Sequence, residues 1–231
     1  MHERPASRPA GYRHPAPPAH GLSGTGRVAD DLYLLGHDER SGKPLLQPRA
    51  LGTGLAGALL AELMLAGCIG LRPDSTVVIT RNTPQDAVQR ALLKQVAEEP
   101  GPAPVRSWLR FVARSAARQV ALRLEAAGYL QHVRGWVPRS QGRWVPVNPD
   151  WAFAPMLRAR SALDPARPLT AHAAALTGLA VACGLGFRLD QYHSQADRPA
   201  EDAVAQLAPG LQELIAQTQT AVDSAVLSHR T

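Results

Sequence analysis

Between Gly54 and Ala66 the chain reads GLAGALLAELMLA, a run of strong helix formers that is apolar nearly all round the helical projection. A helix of this kind has no face to offer water, so it predicts a central element enclosed by others and ended at Gly67. Leu71-Arg72-Pro73-Asp74-Ser75 is turn chemistry, and Thr76 to Thr80 is β-branched enough for a short strand. From Pro84 to Glu98 apolar residues return at helical spacing through Ala87, Ala91, Leu92 and Val96, until Pro100-Gly101-Pro102 breaks the chain. Pro104 to Ala127 predicts another helix, with Gly128 placed to end it in a left-handed conformation.

Beyond that glycine, Tyr129 to Val133 and Gly135 to Val147 mix β-branched and aromatic residues around Ser140-Gln141-Gly142, the pattern of a β-hairpin or wing with short strands. Helical patterns resume over roughly 150–162, 170–187 and 200–226. Upstream, Leu32-Tyr33-Leu34-Leu35 follows Asp30 and Asp31, which can cap it, and leads into the polar turn from Asp38 to Pro44. Residues 1–28 are rich in Pro and Arg with little apolar periodicity and are expected to form a disordered tail. The predicted fold is mainly α, a single globular helical domain over 29–226 with a β-hairpin, preceded by that tail.

Composition adds a restriction on the core. Hydrophobic residues make up 45% of the 231 but aromatics only 5%, so the core must be built from Ala, Leu and Val. The N-terminus lacks the continuous apolar stretch of a secretion signal, and the longest apolar runs, 50–71 with Glu62 inside it and 173–187, read as buried helices and not as bilayer spans. A cytoplasmic protein is expected. Cys68 and Cys183 are far apart in apolar surroundings and read as buried free thiols.

Little in the chain points to catalysis. Gly52-Thr53-Gly54-Leu55-Ala56-Gly57 is formally GxGxxG, but Pro44 and Pro48 bar a buried strand before it and no βαβ rhythm follows, so the glycines read as helix-packing positions and imply no nicotinamide cofactor. The histidines are isolated, without metal-ligand spacing. Asp190 and His193 could share a helical turn, yet Ser194 beside them makes no nucleophile elbow. No enzyme, metal or cofactor is expected.

Charge is more informative. The chain carries a formal +6, and within 103–146 eight arginines (106, 110, 114, 118, 123, 134, 139 and 143) face one acid, Glu125. At about 100° per residue, Arg106, Arg110, Arg114 and Arg118 fall on one side of the predicted helix, opposite Val105, Trp108, Leu109, Val112, Ala116 and Val120. A basic ridge facing away from the core suits phosphate, whose oxygens a planar guanidinium binds in pairs. Arg110, Arg114 and Arg118 are the candidate lipid headgroup ligands. Trp136, Arg139, Arg143 and Trp144 are the candidate membrane-contacting hairpin, since indoles favour a membrane interface.

Asp31-Leu32-Tyr33-Leu34-Leu35 with Asp38 and Gly42, the block from Gly54 to Leu63 with Gly67 and Ile69, and Glu125-Ala126-Ala127-Gly128-Tyr129-Leu130 together resemble the Golgi phosphoprotein 3 family in an actinobacterial-type form, over about 29–226. The resemblance implies a mainly helical domain with a β-hairpin whose eukaryotic members bind phosphatidylinositol 4-phosphate at Golgi membranes through one tryptophan and three arginines. By gapless counting the tryptophan falls on Gln47 and the arginines on Ala56, Arg114 and Ala117, with Arg118 adjacent. One of the four is kept in place, which implies affinity for anionic lipid with weak headgroup selectivity. The partners so implied are an anionic phospholipid or phosphoinositide surface and proteins, a second copy of the chain included. A winged-helix-like nucleic-acid-binding protein, in which the hairpin is the wing, and a scaffold that binds only proteins remain open as alternatives.

Overall fold

The computed structural model describes residues 24–80, 83–84, 86–133, 142–191 and 197–227. In chain order they form α1 (Val28–Leu35), α2 (Pro48–Leu65), β1 (Ile69–Leu71), β2 (Val77–Ile79), α3 (Ala87–Glu98), α4 (Val105–Ala126), β3 (Leu130–Val133), β4 (Arg143–Pro146), α5 (Pro149–Ser161), α6 (Ala171–Ala182), α7 (Gly186–Asp190), α8 (Ala200–Ala205) and α9 (Pro209–Leu227). The fold is mainly α, with two small antiparallel hairpins among the described residues.

Helix α2 is the axis. Every residue from Ala50 to Leu63 is buried, and α1, α4, α6 and α9 pack around it. The helix begins at Pro48, earlier than its apolar run suggests, because a proline at the first helical position lacks only an N–H that has no helical partner there. The GxGxxG glycines lie inside it as packing positions: a Cβ on Gly52 would stand 2.7 Å from the Ala113 carbonyl oxygen of α4, and one on Gly57 would stand 2.5 Å from Thr218 Oγ1 of α9. Glycine therefore lets the α4 backbone at one position and the Thr218 side chain of α9 at the other approach α2 more closely than any side chain would permit.

Helix α4 ends as its sequence suggests. Gly128 has φ +80°, Tyr129 N–H donates to the Leu124 carbonyl and Gly128 N–H to that of Glu125, a paired closure that satisfies the last-turn carbonyls. The same arrangement ends α2 at Gly67 and α6 at Gly184. The first hairpin pairs Ile69 with Ile79 and Leu71 with Val77. Its second strand was expected, and Ile69–Leu71 supplies the partner. The second hairpin pairs Leu130 with Pro146 and Val133 with Arg143, and its turn lies outside the described residues.

Three expectations need correction. The pattern over 200–226 is two helices, because Pro209 takes the first position of α9 and residues 206–208 separate it from α8. The pattern over 170–187 stops at Ala182, where Gly184 turns the chain into the separate short α7. Asp30 and Asp31 do not cap α1. They lie within it, both 1% exposed, and Arg27 holds the N-cap position. Helix α1 opens at Val28, the last residue assigned to the tail, and residues 1–23 lie outside the described residues. Cys68 and Cys183 are free and buried, and burial pushes the Cys183 thiol up to about 12.

Candidate anionic-ligand cleft on helices α2 and α4

Of the arginines that make 103–146 basic, Arg123 plays a different part from the rest. Its side chain is 7% exposed, and its guanidinium is enclosed by three carboxylates from three elements. Nε donates to Asp30 Oδ1 at 2.7 Å, Nη1 to Glu62 Oε2 and Asp86 Oδ2 at 3.0 Å each, and Nη2 to Glu62 Oε1 at 3.0 Å. Burial opposes the charge on Arg123, but Glu62 and Asp30 outweigh it and hold the guanidinium above its ordinary pKa. Burial pushes Asp30 up to about 6, against the pull of Arg123 and with the repulsion of Glu62. Beside this cluster Asp31 accepts from Arg158 Nε at 2.7 Å and faces His172 Nε2 at 2.9 Å. Arg123 is thus a structural cation that ties α4 to α1, α2 and the N-cap of α3, and it is withdrawn from the basic surface.

The remaining described arginines of α4 (106, 110, 114 and 118) are exposed. None of them takes part in the ion pairs found among the described residues. Helices α2 and α4 pack closely where Gly52 meets Ala113. Just before that contact Pro48, Arg49, Thr53, Arg110, Ala113, Arg114 and Ala225 line a cleft of about 320 Å³. Three arginines therefore line one cleft where α2 begins. The first turn of α2 holds no acid, and the Gln47 side chain does not cap it. The positive end of the helix dipole adds to the field of the arginines, which favours an anion. Thr53 Oγ1 donates to the Arg49 carbonyl at 2.9 Å, filling that acceptor.

Two of the three headgroup candidates, Arg110 and Arg114, line the cleft, whereas Arg118 lies one turn farther along α4 and outside its lining. Ala56, where the family resemblance would put an arginine, is fully buried, so that position faces the core. Arg49 lies seven residues, about two turns, earlier on the same side of α2 and is the arginine of that helix that lines the cleft. Sequence reasoning missed Arg49. Its signal was a cation directly after Pro48, at the start of a helix whose first turn holds no acid.

In the hairpin, Trp144 is half-buried against the core. Its Nε1 donates to Glu125 Oε2 at 3.1 Å, and its ring meets His132 edge-on at 5.0 Å. Arg143 is exposed at the hairpin's outer end. Trp136 and Arg139 lie outside the described residues, as does His193.

The family model described as Golgi phosphoprotein 3 (GPP34) matches residues 28–225, nearly the whole of the described chain. No curated protein matches it. No helix among the described residues is long and apolar enough to cross a membrane.

Proposed function

The chain belongs to the Golgi phosphoprotein 3 family, and from that premise we propose that it is a peripheral membrane protein that binds anionic lipid headgroups in the cleft of Arg49, Arg110 and Arg114. The observation that carries this reading is a cleft lined by three arginines and no acid, at the N-terminal end of an 18-residue helix. Headgroup phosphate is a dianion or monoanion with oxygens spaced for the guanidinium fork, and the helix end supplies further positive potential. Arg106 and Arg118 extend the basic surface along α4 for neighbouring lipids. Phosphatidylinositol 4-phosphate is the headgroup suggested by family resemblance. With Gln47 and Ala56 in place of an aromatic and an arginine, preference for it over other acidic lipids is weak. Trp136, Arg139 and Arg143 are proposed to meet the membrane as the hairpin's contribution, whereas Trp144 is held against the core by its bond to Glu125.

Sedimentation with acidic vesicles tests the reading. Arg49→Ala with Arg114→Ala should weaken binding by about tenfold or more, since a basic residue near an anionic surface contributes ~1 kcal/mol. Unchanged sedimentation of a variant whose circular dichroism matches the parent would overturn the proposal. A duplex-DNA mobility shift at the same salt, lost in the variant while vesicle binding persists, would move the site to nucleic acid.

A further inference from the structure

Helix α4 places its large apolar residues against the core with two exceptions: Phe111 is 48% exposed and Leu122 is 46% exposed. Single exposed apolar side chains are ordinary on any surface. These two are set apart by their place on the helix. At about 100° per residue, Phe111, Arg114, Arg118 and Leu122 lie within an arc of about 80°, so the two exposed apolar residues bracket, along one line, two arginines that form no ion pair among the described residues. The line is about 16 Å long at 1.5 Å per residue. Phe111 is also held in place: its ring packs edge-on against the buried Trp108 at 5.9 Å and 87°. On this arc α4 itself carries one acid, Glu125, engaged by the Trp144 indole N–H at its far end, and at the other end Glu98 and Glu99, where α3 ends, line a cleft with Phe111.

Resting on the lipid-binding reading above, we propose that this face of α4 lies flat on an anionic bilayer, with Phe111 and Leu122 as the apolar anchors that enter the interface on either side of Arg114 and Arg118. Charge complementarity selects the occupant. A basic helix face with large apolar side chains at both ends meets negative headgroup charge with its arginines and the acyl boundary with its apolar groups, which is how an amphipathic helix lies in the plane of a membrane. The cleft of Arg49, Arg110 and Arg114 borders this face, so a headgroup held there belongs to the same leaflet. In this geometry the arginines set attraction at a distance, and Phe111 and Leu122 supply the part of the binding that salt does not screen.

The test uses the full chain. Phe111→Cys, Leu122→Cys and, as a control on α8, Asp202→Cys are each labelled with an environment-sensitive thiol fluorophore. The native Cys68 and Cys183, 1% and 4% exposed, stay unlabelled in the folded protein. With vesicles of phosphatidylglycerol and phosphatidylcholine in equal parts, the labels at 111 and 122 should shift blue and become shielded from an aqueous quencher, and the label at 202 should do neither. Unlabelled Phe111→Ser with Leu122→Ser should sediment with the vesicles at low salt and lose about tenfold in binding at high salt. If the protein sediments while the labels at 111 and 122 remain in water, the anchors are refuted and the lipid reading stands, leaving the face for a protein partner. If the parent chain fails to sediment with these vesicles at any salt, both readings fall.

Discussion

Replacing Arg123 by Met keeps the length of the side chain and its helix propensity but removes the cation from a group of carboxylates that water scarcely reaches. The side chains of Asp30, Glu62 and Asp86 are 1%, 3% and 9% exposed. Breaking one buried ion pair from one side costs about 3–5 kcal/mol. Here three carboxylates lose their shared partner, and the loss is limited because Asp30, already raised by burial, can take up a proton, at ~1.4 kcal/mol per unit of pKa rise. A deficit of about 4–6 kcal/mol at pH 7.5 follows, comparable with the whole stability of a small domain, and a fall in Tm of about 10–20 °C. Thermal unfolding followed by far-UV circular dichroism at pH 7.5 and again near pH 5 measures it. The pH arm has a definite sign. Asp30 stands at about 6 in the folded protein against 3.8 as its ordinary value, so between those limits the folded state holds the extra proton and the Asp30 contribution to stability declines as pH rises. Without the pull of Arg123 the Asp30 carboxyl rises further, so the variant's deficit should shrink on going from pH 7.5 to pH 5. A variant melting within about 3 °C of the parent at pH 7.5, or one whose deficit grows on acidification, would refute the assignment of Arg123 as the cation that holds these elements together.

Two other substitutions probe the packing. Gly52→Val drives a Cβ to 2.7 Å from the Ala113 carbonyl oxygen, so α2 and α4 must separate. A loss of about 1–3 kcal/mol should appear as a Tm lower by roughly 5 °C, and an unchanged melt would show that the contact is slack. Trp144→Ser removes a hydrogen bond to the Glu125 carboxylate and a half-buried indole. A loss of about 2–4 kcal/mol is expected in the same melt, whereas an unaltered Tm would show the indole to be free for the membrane interface.

Much of the fold is legible along the chain because its signals are local. Gly67 and Gly128 mark helix ends where φ is positive, whereas the apolar pattern runs on past Gly184, which ends α6 with the same sign of φ, and Thr170 offers a side-chain oxygen to the first turn of α6. The all-apolar run in α2 announces a buried helix from composition alone. The basic ridge of α4 is likewise readable, since a helix sorts residues by a fixed period and needs no neighbour to do so. The break between α8 and α9 has a local signal in Pro209, but the apolar pattern continues across it, and periodicity alone joins what the proline separates.

The tertiary structure decided which charges meet. Arg123 reads as one more member of a basic segment, and Asp30 and Asp31 read as caps, because their partners lie 93 and 127 residues away in the chain. The cleft has the same character: Arg49 joins Arg110 and Arg114 only because Gly52 lets α2 and α4 come together beside them. Sequence alone determined a helical domain with a basic face, since periodicity and capping act over a few residues. Which arginines are buried as structural cations and which remain open to a ligand depends on electrostatics between distant segments, and these act only once packing has brought the segments together and removed the water between them.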